Sequence, residues 1–492
     1  MSKELTQLIK HSGIYGLGTI LSRSVGFLMI PVYTRHLVPA DYGVLEMLDL
    51  VIFFSGIFAM MGIGSAFFRF YAVADSGEEK KTVASTALFS VMVISLLVLG
   101  LMQLLAGELS TVAFGNATYA PLVKVVAFTL FFSNLTEVPL AYLRAQQRTV
   151  LFVIMGLART VLTATLLILA VVVLHKGVLG VVYANVISTA LAALPLLIAL
   201  MVRVRGKFSR EKFEQMFRYG APLIVQNLAA FVLLLSDRLF LRHFASLSEV
   251  GIYGLGYKLA GIVPLLVSGP FNLTWSWQQF ELAKQENPQQ QLAKVQSYQL
   301  FVCVFVGLGI SVLGRDLLRI MSPNAYWSAA RIVPLIALSY VLGNLRSVLH
   351  TGILVQQATH YLASISIVVA VATLALNYLL IPRYHAMGAA VATVLSYALS
   401  LILSYCVAQH LFPIRYEYGR SSILLGSAAA AYLLSTLPEL GLFPSIATNL
   451  VLLMLFLLVS VKLLEEDERH MFLKLVGSLA RRFRSGSVGS GR

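Results

Sequence analysis

Apolar residues come in runs of about 20 along this chain, the length at which a helix crosses a hydrocarbon core about 30 Å thick, and short polar breaks separate the runs. The pattern predicts about fourteen membrane-spanning helices, at roughly 11–31, 44–71, 82–106, 118–139, 151–174, 178–201, 220–242, 250–272, 297–319, 329–355, 360–380, 386–410, 420–437 and 445–463. The longest connections are only about 20 residues, too short for a soluble domain. Composition agrees: 58% of the 492 residues are hydrophobic and 12% charged, which excludes a soluble globular chain. The expected fold class is an all-α integral membrane protein.

An even number of spans returns both termini to one side, and charge says which side. Roughly 23 Lys and Arg fall on the side of the N-terminus against roughly 6 on the other, and positively charged loops resist translocation. Both termini are therefore expected to be cytoplasmic. Much of the bias comes from Arg203, Arg205, Lys207, Arg210, Lys212 and Arg218, between the sixth and seventh spans. The rest of it is mainly in the tail, with Lys474, Arg481, Arg482 and Arg484. The net charge of +15 is thus a topology signal first and a means of contacting anionic membrane lipids second. It does not form the single aromatic-studded basic face of a nucleic-acid binder. Cys303 and Cys406 both lie within spans, so no disulfide framework is expected. The first apolar run is broken by Arg23 and lacks a small-residue cleavage site, so it reads as a retained helix and not a signal peptide.

An internal repeat organises the chain. Gly13 matches Gly220, Arg35-His36 matches Arg242-His243, and Asp41-Tyr42-Gly43 matches Glu249-Val250-Gly251, at an offset of about 207 residues. Each match falls at the same topological place. The repeat unit holds six spans, an even number, so the two copies share one orientation and are related by a pseudo-two-fold axis along the membrane normal, as in transporters that rock two lobes about a central site. The expected divisions are a six-helix lobe at 1–206, an amphipathic interfacial linker helix at 207–219, a second six-helix lobe at 220–411, two additional spans within 412–464, and a basic cytoplasmic tail at 465–492. Trp275 and Trp277 are expected at headgroup level, in a cytoplasmic connection at 275–296.

Ionisable residues inside spans carry the functional information, because each costs several kcal/mol unless it pairs or faces water. The deepest are Arg23, Arg159, Lys258 and Arg346, all cations, and these four are the candidate substrate-binding residues. A cationic cavity in mid-membrane suits an anionic headgroup such as a diphosphate, since arginine supplies several charge-assisted donors in a dry setting. Asp237, Glu137, Asp49 and Arg238 are candidates for ion coupling or for charge pairing: Asp237 with Arg238 or Lys258, Glu46 or Asp49 with Arg23, Glu137 with Arg144. The last four spans carry no charge in their interiors, which suits helices that face lipid or brace the lobes. Gly206-Lys207 is followed by Phe208, so no phosphate-binding loop is present, and there is no metalloprotease or nucleophile-elbow motif. Neither a catalytic residue, a metal nor a cofactor is expected.

The run Ser12-Gly13, Tyr15-Gly16, Gly18, Leu21-Ser22-Arg23, Gly26-Phe27, followed by Pro31, Tyr33-Thr34-Arg35, Leu37, Pro39 and Asp41-Tyr42-Gly43, resembles the opening of the Wzx-type polysaccharide flippases. These belong to the multidrug/oligosaccharidyl-lipid/polysaccharide exporter superfamily. Arg218-Tyr219-Gly220-Ala221-Pro222, Ser236-Asp237-Arg238 and Val250-Gly251 with Tyr253 continue the resemblance. It implies alternating access and transfer of an undecaprenyl-diphosphate-linked oligosaccharide from the cytoplasmic to the periplasmic leaflet of a bacterial inner membrane, for surface polysaccharides such as lipopolysaccharide O-antigen or exopolysaccharide. A polysaccharide polymerase and glycosyltransferases would be its partners. Only Arg23 of the four deep cations falls within a matched motif. A lipid II flippase and an ion-coupled drug exporter are alternatives, the latter favouring a carboxylate-lined cavity. A membrane glycan polymerase or ligase would need a sizeable periplasmic loop, and the outer connections here are short.

Overall fold

The computed structural model describes residues 18, 21–22, 24–437 and 441–463; Gly13, Arg23 and the tail at 465–492 lie outside them. Helices account for the fold, with no strand among the described residues. The first group comprises α1 (Ile30–His36), α2 (Pro39–Met60), α3 (Ile63–Val73), α4 (Gly77–Leu104), α5 (Ala106–Phe114), α6 (Ala120–Ala145), α7 (Thr149–Ile168) and α8 (Gly177–Val204). The second comprises α9 (Arg210–Phe244), α10 (Leu247–Ala260), α11 (Gly269–Leu282), α12 (Pro288–Met321), α13 (Val333–Val355) and α14 (Thr359–Leu411), followed by α15 (Tyr418–Thr436) and α16 (Leu442–Lys462).

Eleven helical stretches among the described residues are long and apolar enough to cross a membrane. One of them is α14, whose 53 residues are two crossing lengths joined at His385, where φ is 48°. With α15, every predicted span from the second onward has its helix. The first, 11–31, lies only partly within the described residues.

Within the first group α6 packs on α4 and α8, and α7 lies on α8. Within the second, α14 packs on α13 and α9, and α13 on α12, while α15 and α16 lean on α12 and on each other. The last two helices therefore brace one side of the second group. The groups meet where α2 lies along α10 and where α3 crosses α9.

The linker is not a helix of its own. Ser209 caps α9 by accepting from the Lys212 amide at 3.3 Å, and the helix then runs unbroken through Pro222 to Phe244. The amphipathic stretch is thus the first turns of the seventh span. It is held to α4 by Lys212 on Glu79 at 2.6 Å and by the Ser209 amide on Thr86 at 3.0 Å. At Trp275 the expected connection is still helix: α11 continues past it to Leu282, and the indole packs with Phe271, Leu292 and Val348 inside the protein.

The repeat appears as reciprocal contacts across the groups. Arg35 donates to the Ile320 carbonyl at the end of α12, and Arg242, its repeat partner, donates to the Phe114 carbonyl at the end of α5. A Cβ on Gly43 would overlap the Leu247 carbonyl oxygen, and one on Gly251 would overlap that of Pro39. When residue i meets j and the copy of j meets the copy of i, the interface is that of a two-fold. These contacts, with Thr34 to the Met321 carbonyl and Tyr326 to the Leu37 carbonyl, both 2.9 Å, close the face opposite the basic linker, called here the far face. Gly251→Ala is expected to lower stability by about 1–3 kcal/mol, because helix backbone cannot step aside for the added methyl. Thermal unfolding in detergent checks this, and an unchanged midpoint would show that α2 and α10 do not touch there.

Candidate functional site

Side chains from α6, α7 and α8, the segment before α1, and Tyr33 of α1 enclose a cavity of about 410 Å³, with Lys258 of α10 across from them. Its wall is mostly apolar, with Thr136, Thr160 and Thr163 among its polar members. Among the described residues its charged liners are Arg159 and Lys258, and no described Asp or Glu lines it. Arg159 is half-buried and reaches Ser133 Oγ only at 3.5 Å, with Glu137 as the acidic group acting on it. Its guanidinium therefore keeps most of its donors for something else. The outer face of α7 is open, with Val150, Ile154 and Val161 exposed, so a thin helix wall separates the cavity from lipid.

Toward the linker face a second hollow of about 280 Å³ shares Met155 and Leu196 with the first and carries Arg148 and Arg203. The four cations form a series from the linker face, through Arg159, to Lys258. Arg148 and Arg203 were not singled out from sequence because they sit at helix ends, where a basic residue reads as a topology signal. Only the tertiary position of α8 beside α7 reveals their second position.

Lys258 donates to the Tyr42 hydroxyl at 3.1 Å and lies over the Tyr33 and Tyr42 rings at 5.3 and 5.4 Å. Helical side chains lean toward the helix N-terminus, and α10 starts at the far face, so the ammonium reaches toward that face. Lys258 and Asp49 are both exposed although each lies well inside an apolar stretch long enough to cross a membrane, Leu247–Asn272 and Pro39–Val73, and Asp49 feels Glu46, Lys258 and Arg238. Both therefore face open space between the groups.

Asp237 and Arg238 behave as a pair. Arg238 contacts Asp237 at 3.0 Å and Glu46 of α2 at 3.1 Å, and lies over the Tyr257 ring at 4.7 Å. Tyr253 donates to Asp237 at 2.6 Å and meets Thr393 at 3.3 Å. Asp237, Arg238 and Tyr253 are buried, so this is a dry, satisfied cluster that ties α2 to α9, α10 and α14. Glu46 thus pairs with Arg238; the alternative partner, Arg23, lies outside the described residues. Glu137 is exposed and makes no ion pair with Arg144, which instead lies over the Phe68 and Phe152 rings at 4.8 and 5.5 Å. Arg346 does not join the cavity. It donates to Ser400 Oγ at 2.7 Å between α13 and α14, one turn from His350, whose ring meets Ser404 at 3.2 Å.

Residues 8–275 match the family described as polysaccharide biosynthesis protein. No curated protein matches the chain. Among solved structures, the chain is similar to the lipid II flippase MurJ in an inward closed conformation, with 15% identity, a TM-score of 0.73, and coverage of 91% of this chain and 98% of that one. It is also similar to an inward-facing multidrug resistance MATE family transporter of the MOP superfamily, with 14% identity, a TM-score of 0.63, and coverage of 81% and 97%. A MOP superfamily transporter from Pyrococcus furiosus matches with 15% identity, a TM-score of 0.58, and coverage of 83% and 98%. At these identities the likeness is one of fold.

Proposed function

This chain belongs to the polysaccharide biosynthesis protein family, and from that premise we propose that it flips an undecaprenyl-diphosphate-linked oligosaccharide from the cytoplasmic to the periplasmic leaflet by alternating access. The observation that carries the reading is the cavity lined by Arg159 and Lys258, with no carboxylate among its described lining residues, continued toward the linker face by Arg148 and Arg203. A diphosphate offers several charged acceptor oxygens, and guanidinium groups pair with such oxygens in two-point fashion. An exporter of small organic cations needs the opposite polarity. Arg23 is proposed to complete the site from the first span. The linker face is cytoplasmic in this reading, so Arg148 and Arg203 receive the diphosphate and Arg159 and Lys258 carry it toward the far face. Closure of the far face by the paired Arg35 and Arg242 contacts matches the state in which substrate enters from the cytoplasm.

Lipid II carries the same diphosphate on the same lipid, so the cavity's charge serves either cargo, and the fold likeness to MurJ makes lipid II the second reading. Binding to the purified protein by native mass spectrometry separates them. Oligosaccharide-diphosphate lipid is expected to be retained better than lipid II, and Arg159→Ala should reduce that retention about ten-fold. Preference for lipid II would overturn the oligosaccharide assignment.

A further inference from the structure

The far face of the second lobe holds another charged hollow, of about 540 Å³, away from the central cavity. Arg315 and Arg319 enter it from the last turns of α12, four residues apart and so on one side of the helix. Arg331 ends the 3-10 helix Asn324–Arg331, and Trp327 of that helix also lines the hollow. Tyr432 of α15 and Asn449 of α16 form the opposite wall.

Charge here is unbalanced. Asp316 is buried and is engaged with α16, accepting from Ser445 at 2.9 Å and Asn449 at 3.0 Å through Oδ2. Arg319 is ion-paired with its other oxygen at 3.9 Å and lies over the Trp327 ring at 5.8 Å. Arg315 and Arg331 are exposed into the hollow, and neither has an ion-pair or hydrogen-bond partner among the described residues. Arg315 and Arg331, beside the Asp316-paired Arg319, repel one another across one depression, and an anion placed among the three removes that cost.

Directly below, Ser311 and Tyr432 also line an apolar slot of about 230 Å³ between α12, α13 and α15. Gly307, Leu338 and Leu425 form part of its wall, and the two leucines are exposed on the side that faces lipid. Ser311 lies one helical turn, about 6 Å, deeper along α12 than Arg315. The arrangement stacks a cationic basin at the membrane boundary on an apolar slot inside the bilayer, with two residues shared between them.

We propose that this composite site binds a phosphate-bearing lipid of the far-face leaflet, its phosphate held by Arg315, Arg319 and Arg331 and one chain lying in the slot. Charge complementarity selects the anionic headgroup, and continuity with the slot selects a lipid over a free anion. The site is independent of what the central cavity carries.

Native mass spectrometry of the purified full chain with added phosphatidylglycerol tests it. Wild type is expected to bind one equivalent about ten-fold more tightly than phosphatidylcholine, and Arg315→Gln/Arg331→Gln to lose that margin. Arg315→Lys/Arg331→Lys should keep most of the affinity, and Arg159→Ala should leave it unchanged. Ala429→Trp, which fills the slot without touching the arginines, should weaken binding as well. Equal binding by the glutamine pair, loss of binding in Arg159→Ala, or full displacement by inorganic phosphate alone would each overturn the proposal, the last by showing a free-anion site.

Discussion

Replacing Arg159 by alanine is expected to slow transfer of a diphosphate-linked glycan by about 10- to 100-fold while leaving the unfolding temperature near that of wild type. The rate loss corresponds to about 1.5–3 kcal/mol, the worth of hydrogen bonds to a charged group. The fold should tolerate the change because the only hydrogen bond the Arg159 side chain makes among the described residues is the 3.5 Å contact with Ser133. A side chain so weakly tied contributes little to packing, and its removal leaves no buried partner uncompensated. Arg159→Lys keeps the charge and loses the fork geometry, so it should fall between wild type and alanine. Lys258→Ala should slow transfer similarly, though it also frees the Tyr42 hydroxyl. An Arg159→Ala protein that is stable and fully active would remove this residue from the pathway.

Arg238→Met is expected to have the opposite signature, a loss of stability of about 3–5 kcal/mol, read as a drop in unfolding midpoint before any transport is measured. Here the partner left behind matters most. Asp237 is buried at 2% exposure and would lose both its ionic partner and a donor. Arg238→Met combined with Asp237→Asn removes the stranded charge and should recover part of the stability, a coupling that a double-mutant cycle measures. Glu46→Gln should cost much less, about 1 kcal/mol, because Arg238 keeps Asp237 and an amide oxygen can still accept from it. Equal damage from Glu46→Gln and Arg238→Met would show that the contact between the lobes, and not the burial of Asp237, dominates the cluster.

These two arginines mark what the chain reveals in one dimension and what it hides. Apolar runs of bilayer length dictate helices whatever their neighbours, so the spans and the brace formed by α15 and α16 are readable as pattern. The repeat was readable too, at Arg35 and Arg242 and at Gly43 and Gly251, because the same packing problem is solved twice with the same residues. Partnership was less legible. Glu46 and Arg238 lie 192 positions apart, and which cation Glu46 would meet depends on how α2 lies against α9 and α10.

Depth along a span also failed to say which way a charge faces. Arg159 and Arg346 are similarly placed in their spans, yet one lines the cavity and the other is held between α13 and α14 by Ser400. Helix rotation decides this, and rotation is set by packing. The linker misled for a related reason. Phe208, Phe213 and Phe217 suit an interfacial helix, and Pro222 suggests a boundary, but a proline removes one backbone bond and does not by itself end a helix whose flanks are packed.

Conduction of a lipid-linked diphosphate across the membrane is the proposed work of the cationic series. Its most direct test is protection of a fluorescent undecaprenyl-diphosphate oligosaccharide from an external glycosidase in proteoliposomes, comparing wild type, Arg159→Ala and empty vesicles. Redistribution of the glycan between leaflets is expected with wild type, and redistribution slowed by about ten-fold or more with the variant, approaching the empty-vesicle rate. Redistribution no faster than in empty vesicles with correctly folded wild type, or at equal rates in wild type and Arg159→Ala, would contradict it.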